Sequence, residues 1–182
     1  ASNNTAIGYS SLTANTTGAR NVALGAFSLQ LATTASDNTA IGFGSLSTNV
    51  TGTRNVAVGS LTLLENTTDD NTAVGYNTLC ANTTGTRNTA MGSLALDTNT
   101  TASDNTAFGY NALTANITGL QNTAVGSLAL DSSTLASNNT GIGYSSLTAN
   151  TTGIRNVALG AFSLQLATSA SDNTAIGFGS LS

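Results

Sequence analysis

The chain has 182 residues, of which only 7% are charged, against about 25% in an ordinary soluble domain. It contains no His, Pro, Trp or Lys, a single Cys, and a formal net charge of −4. That excludes His-based acid–base catalysis, a Ser-His-Asp triad and His metal ligation. It also excludes an internal disulfide or Cys-rich zinc site and, with four Arg as the only cations, tracking of a phosphate backbone. No run of 18 apolar residues occurs, so no segment is expected to insert into a membrane.

In chain order, a pentad Asn-(Thr/Val)-Ala-(apolar)-Gly starts at Asn4, Asn21, Asn38, Asn55, Asn71, Asn88, Asn105, Asn122, Asn139, Asn156 and Asn173. The steps are 17 residues, with one step of 16 between Asn55 and Asn71, and Gly141 replaces Ala in one copy. Eight residues after each Asn stands a Leu, from Leu12 to Leu181. A longer order alternates an aromatic after the Gly (Tyr9, Phe43, Tyr76, Tyr110, Tyr144, Phe178) with Phe or Leu one residue later in the intervening copies. Residues 3–47 recur at 138–182 with three differences, Ala6/Gly141, Ala19/Ile154 and Thr34/Ser169. The start at Ala1 with no signal peptide is expected of a mature fragment or an excised piece, with the array cut within a repeat at both ends. The chain is read as one repeat array over 1–182, a window on a longer repetitive chain.

Seventeen residues are too few for a helix pair and suit one coil of a parallel β-solenoid. Within the pentad, residues alternate between faces. The large apolar residue at position 4 (Ile7, Leu24, Ile41 and their successors) is expected to point inward, joined by the recurring Leu from a second strand. The recurring Gly fits a corner that needs positive φ or close backbone approach. Ala and Gly would then share the opposite face. Small residues there suggest a second packed surface, most simply against other copies in a homotrimer; the alternative is a coil too narrow for anything larger than Ala.

The residue before each Asn fixes the coil length. It reads Arg20, Asp37, Arg54, Asp70, Arg87, Asp104, Gln121, Asn138, Arg155, Asp172. A 17-residue coil stacks opposite charges about 4.8 Å apart; a 34-residue coil would stack like on like, which destabilises. The charge ladder therefore predicts 17 residues per coil and about eleven coils, a rod about 50 Å long. The eleven pentad Asn residues stack likewise, either as an amide ladder of the cross-β kind or as turn-forming corner residues.

Asn-Asn-Thr-Ala-Ile-Gly at 3–8 and Arg-Asn-Val-Ala-Leu-Gly at 20–25 resemble the head repeat of trimeric autotransporter adhesins. Asn-Thr-Ala-Ile-Gly-Tyr-Ser-Ser-Leu-Thr-Ala-Asn-Thr-Thr-Gly at 4–18 resembles arrays in bacterial and phage-like surface fibres. The resemblance implies a trimeric β-roll, an extracellular or virion-surface location, and attachment to a host-surface glycan or protein. The adhesin repeat is usually shorter, so these coils must carry larger corner loops.

No local constellation unlike its surroundings stands out as a catalytic site, and no enzyme activity, cofactor or metal is expected. Cys80 occupies a slot filled elsewhere by Thr, Gln, Ser, Leu or Asp. Glu65, Asp69 and Asp70 form the densest acid cluster, at the shortened copy. Asp97 and Asp131 share a slot two coils apart, about 10 Å, beyond the usual spacing of a hydrolytic carboxylate pair. The sequons at Asn15, Asn49, Asn66, Asn82, Asn99, Asn116 and Asn150 follow from the repeat itself. A regular rank of Thr (Thr17, Thr34, Thr51, Thr68, Thr84, Thr101, Thr118, Thr152) opens another reading, an ice-binding rod, by analogy of architecture alone. The expectation is a structural extracellular fibre segment whose partner is itself; a self-assembling matrix filament and an ice-binding rod are the alternatives.

Overall fold

The computed structural model describes residues 1–182. Each copy contributes one three-residue strand: β1 (Thr5–Ile7), β2 (Val22–Leu24), β3 (Thr39–Ile41), β4 (Val56–Val58), β5 (Thr72–Val74), β6 (Thr89–Met91), β7 (Thr106–Phe108), β8 (Thr123–Val125), β9 (Thr140–Ile142), β10 (Val157–Leu159) and β11 (Thr174–Ile176). They form one parallel sheet in sequential order. The register pairs Thr5 with Val22 and Thr39 with Val56, and across the short copy Val56 with Thr72. The coil is thus 17 residues, 16 once, and all-β throughout. No helix is long and apolar enough to cross a membrane.

The rest of each coil is a stack of turns and carries no second strand. The recurring Leu sits in the left-handed region, at φ 52° in Leu12 and 53° in Leu130. Two further positions per coil share that conformation, including the Arg/Asp column (Arg20 57°, Asp37 61°). A non-Gly residue there costs of order 1–2 kcal/mol. The cost is met by coil-to-coil bonding: the left-handed residues' amides find carbonyls in a neighbouring coil, as Leu29 N–H does at Ser45 O (3.0 Å) and Asp37 N–H at Ala19 O (3.0 Å). The coil closes at a stacked Gly column. Gly126 has φ 133°, and a Cβ there would lie 2.5 Å from the carbonyl oxygen of Gly143. Both the dihedral and the close approach demand Gly.

The two faces of the strand lie opposite to the expectation from residue size. Ala is the buried residue: Ala23, Ala40, Ala57 and Ala107 have no exposed surface. Position 4 points out, with Leu24 43% and Met91 49% exposed. The core is a narrow column of Ala and Leu, with Leu29, Leu46, Leu63, Leu79, Leu96, Leu113, Leu130 and Leu147 fully buried. A single short strand and tight left-handed turns enclose too little space for Ile or Phe on the strand's inner face. The narrow-coil alternative therefore explains the Ala column, and the argument that placed Ala and Gly on a trimer axis falls away.

Candidate functional surfaces

Two polar columns run inside the coil. The pentad Asn residues are buried from Asn21 to Asn156. Each Oδ1 accepts the backbone N–H of the Asn one coil on, as Asn38 N–H to Asn21 Oδ1 (3.0 Å) and Asn139 N–H to Asn122 Oδ1 (3.0 Å). Each Nδ2 donates to a loop carbonyl, as Asn38 to Gly52 O (2.8 Å) and Asn122 to Ala136 O (2.7 Å). The amide ladder and the corner role are thus one arrangement, with the side chain satisfying main-chain groups that turns leave unpaired.

The sequon Asn residues form a second column that sequence reasoning set aside as incidental. Asn82 donates to Asn66 Oδ1 (2.8 Å), Asn99 to Asn82 Oδ1 (2.8 Å) and Asn116 to Asn99 Oδ1 (3.0 Å). Asn49, Asn66, Asn82, Asn99, Asn116 and Asn150 have no exposed surface, so the Nδ2 atoms that glycosylation would use are enclosed. The column is interrupted at three places. Asn15 Oδ1 meets the coil of Ala32 and Asn116 Oδ1 that of Ser133, while at the short copy Asn66 donates to Thr68 O (2.9 Å) and not to Asn49; Asn15 Oδ1, Asn49 Oδ1, Asn116 Oδ1 and Ser133 Oγ lack partners.

The charge column resolves into discrete pairs. Arg20 holds Asp37 through Nε (2.5 Å) and Nη2 (2.8 Å). Arg54 holds Asp70, Arg87 holds Asp104 and Arg155 holds Asp172 in the same bidentate way, with Nε distances of 2.6 Å. The hydrogen bond from its Arg keeps each of these four carboxyls below the usual range. Gln121 and Asn138 interrupt the ion pairs. The short copy lacks one residue of its Thr pair: Thr68 takes the slot that Ala or Gly holds in other coils, its carbonyl accepting from Asn55 Nδ2 (2.6 Å) as Ala35 O does from Asn21 Nδ2 (2.8 Å). Asp69 accepts from Thr53 N–H (2.6 Å), where other coils use a Ser hydroxyl, as Ser36 does for Ala19 N–H (3.0 Å). Asp69 and Asp70 are thereby engaged locally. No three His, Cys, Asp or Glu side chains converge as a metal site would need.

The Thr rank divides. In the neighbouring column each hydroxyl donates to the next coil, as Thr16 to Thr33 O (3.0 Å) and Thr83 to Thr100 O (3.0 Å). Thr17, Thr34, Thr51, Thr84, Thr101, Thr118 and Thr152 are exposed, and their hydroxyls bond to nothing in the chain. Thr68 leaves the rank, turning inward to Gly85 O (2.7 Å). Exposed Leu135 takes the place between Thr118 and Thr152.

Cys80 is half-buried in a column between Leu64 and Asp97. Burial first, then the charges of Asp97 and Glu65, pushes its thiol up to about 11. Burial also raises the carboxyls of Asp97, which accepts from Asn77 Nδ2 (3.0 Å), and Asp131. Thr114 stands in the same slot on the coil between these two acids, so they share no cleft.

The remaining surface is the outer strand face. Position 4 forms an apolar column along all eleven strands, beside a Thr/Val column at position 2. The aromatic column runs past the Gly corner: Tyr9, Phe27 and Phe43 meet edge to face at 5.4 and 5.6 Å, as do Tyr144, Phe162 and Phe178 at 5.2 and 5.6 Å. The signal for this face was present in the sequence. Asn, Ala and Leu hardly vary between copies, whereas position 4 accepts Ile, Leu, Val, Met and Phe, a range of volumes that a close-packed interior does not tolerate. Comparison of the chain with protein-family models, curated proteins and solved structures gave no match; the parallel solenoid, compatible with a β-roll repeat, is what stands.

Proposed function

We propose that the chain is a structural, non-catalytic segment of an extracellular fibre, a rod projecting from a cell or virion surface and mediating attachment. The observation that carries this reading is the unbroken stack. Eleven coils pair in one register, and inner polar columns tie each coil to the next. Such a stack gives length and stiffness at low sequence cost. Identical surface groups then recur along the rod, which suits many weak contacts acting together. The resemblance of residues 3–8 and 20–25 to adhesin head repeats points the same way, towards a glycan or protein on the surface contacted. Association of several copies, as a trimer or a filament, belongs to this reading.

Immunogold electron microscopy on the source cells or particles tests it. Label on projecting fibres, removed by external protease, is the expected result; label confined to the cell interior would overturn it. The exposed Thr rank with unengaged hydroxyls supports a second reading, an ice-binding rod. Thermal hysteresis near zero for the purified chain would dismiss that reading.

A further inference from the structure

We propose that the outer strand face is a self-recognition surface on which a second copy of this chain lies antiparallel, strand face against strand face. The proposal rests on the reading of the chain as an assembling rod and names its partner. Parallel sheets occur almost only with both faces covered. Here the inner face is covered by the Ala and Leu core, while the outer face carries Leu24, Met91 and Leu159 at 43, 49 and 45% exposure. No strand residue is charged.

The area suffices. Eleven strands at about 4.8 Å, across a face about five residues wide at about 3.3 Å each, present about 800 Å² per copy, which is what a standard stable interface buries on each side. The period selects the partner. Contact along the whole face requires a surface repeating at the coil spacing over the same length, and a second copy supplies that spacing by construction.

The columns select the orientation. The Arg/Asp column borders the face on one side and the aromatic column on the other. A two-fold axis along the rod would lay the charged column of each copy over the aromatics of its partner. A two-fold axis across the rod lays apolar on apolar and charge column on charge column. With that axis between β6 and β7, Arg20 faces Asp172, Asp37 faces Arg155 and Arg87 faces Asp104, and the other charged positions face neutral residues. A slip of one coil would set Arg87 against Arg87, so the ladder also fixes the register.

Light scattering on the purified chain should give a mass of two chains of 18.0 kDa each. Val74→Glu with Val125→Glu should halve that mass while leaving the circular dichroism unchanged. In a Cys80→Ser background, spin labels on Met91→Cys should lie close together across the pair. Labels on Leu24→Cys should lie about 40 Å apart, nine coils at about 4.8 Å. Short distances from both labels would overturn the antiparallel arrangement. A one-chain or three-chain mass for the unaltered protein would overturn the pairing itself, and thermal hysteresis from such a monomer would assign the face to ice. A single rod that still labels on projecting fibres sinks this proposal and leaves the fibre reading standing; a paired rod found only inside cells does the reverse.

Discussion

Ser133 sits in the inner Asn column between Asn116 and Asn150, each with no exposed surface. Its hydroxyl and Asn116 Oδ1 are both unpartnered, and a buried unsatisfied polar group costs about 1–3 kcal/mol. The coils on either side hold Asn in the same slot, so Ser133→Asn has room to restore the ladder. It should raise stability by about 1 kcal/mol, a shift of about 2–4 °C for a chain of this size, read by thermal denaturation. Cys80 gives a second residue-scale expectation. A thiol pushed from 9.0 up to about 11 holds about a hundredfold less thiolate at neutral pH. Its reaction with a disulfide reagent should be slower than that of a free thiol by that order, and denaturant should restore the ordinary rate.

The element is the coil: one strand, one Gly corner and a left-handed turn stack. Its core contribution is essentially one Leu. Leu96→Ala should therefore cost about 2–5 kcal/mol, measurable by urea titration. Arg87→Ala, which removes an exposed pair, should leave the midpoint nearly unchanged. The acids act with opposite signs. Asp37, Asp70, Asp104 and Asp172 are held below their ordinary value by Arg, so their stabilisation is present above the unfolded carboxyl pKa and is lost as pH falls through the lower, folded one. Burial raises Asp131, so stability is lost as pH rises from the unfolded carboxyl pKa to the raised folded one, and the full cost is present above it. Asp131→Asn should increase the melting temperature at pH 7 and lose that advantage in acid, where the native carboxyl is protonated. The coil length was legible in the Arg/Asp alternation because charge sign reports on the neighbour directly. The inner and outer faces were not legible from size, since position 4 is larger than Ala. Only the volume available inside a one-stranded coil decides between them, and that follows from turn dihedrals that Leu and Arg do not advertise.

At the scale of the molecule the eleven coils make one body without a long-range tie. The period, the parallel order and the single array were readable from the repeated Asn, Gly and Leu. The polar function of the second Asn column was not, because Asn15 to Asn150 read equally well as a loop by-product until the turns enclose them. The argument that set a partner against the Ala face failed for the same reason: Ala seemed spare until it proved to be the core. In a nearest-neighbour stack of this kind, stability is close to a sum of coil and interface contributions.

The shortened copy also bears on how the rod would yield under load. Each coil is bonded only to the coils beside it, so tension applied to the chain ends peels them singly. Each release frees about 17 residues of contour, about 50 Å after the lost rise is subtracted. Pulled by an atomic force probe, the chain should give a train of evenly spaced steps. The copy between Asn55 and Asn71, one residue shorter than the rest, should mark its place in that train with the one step that falls short.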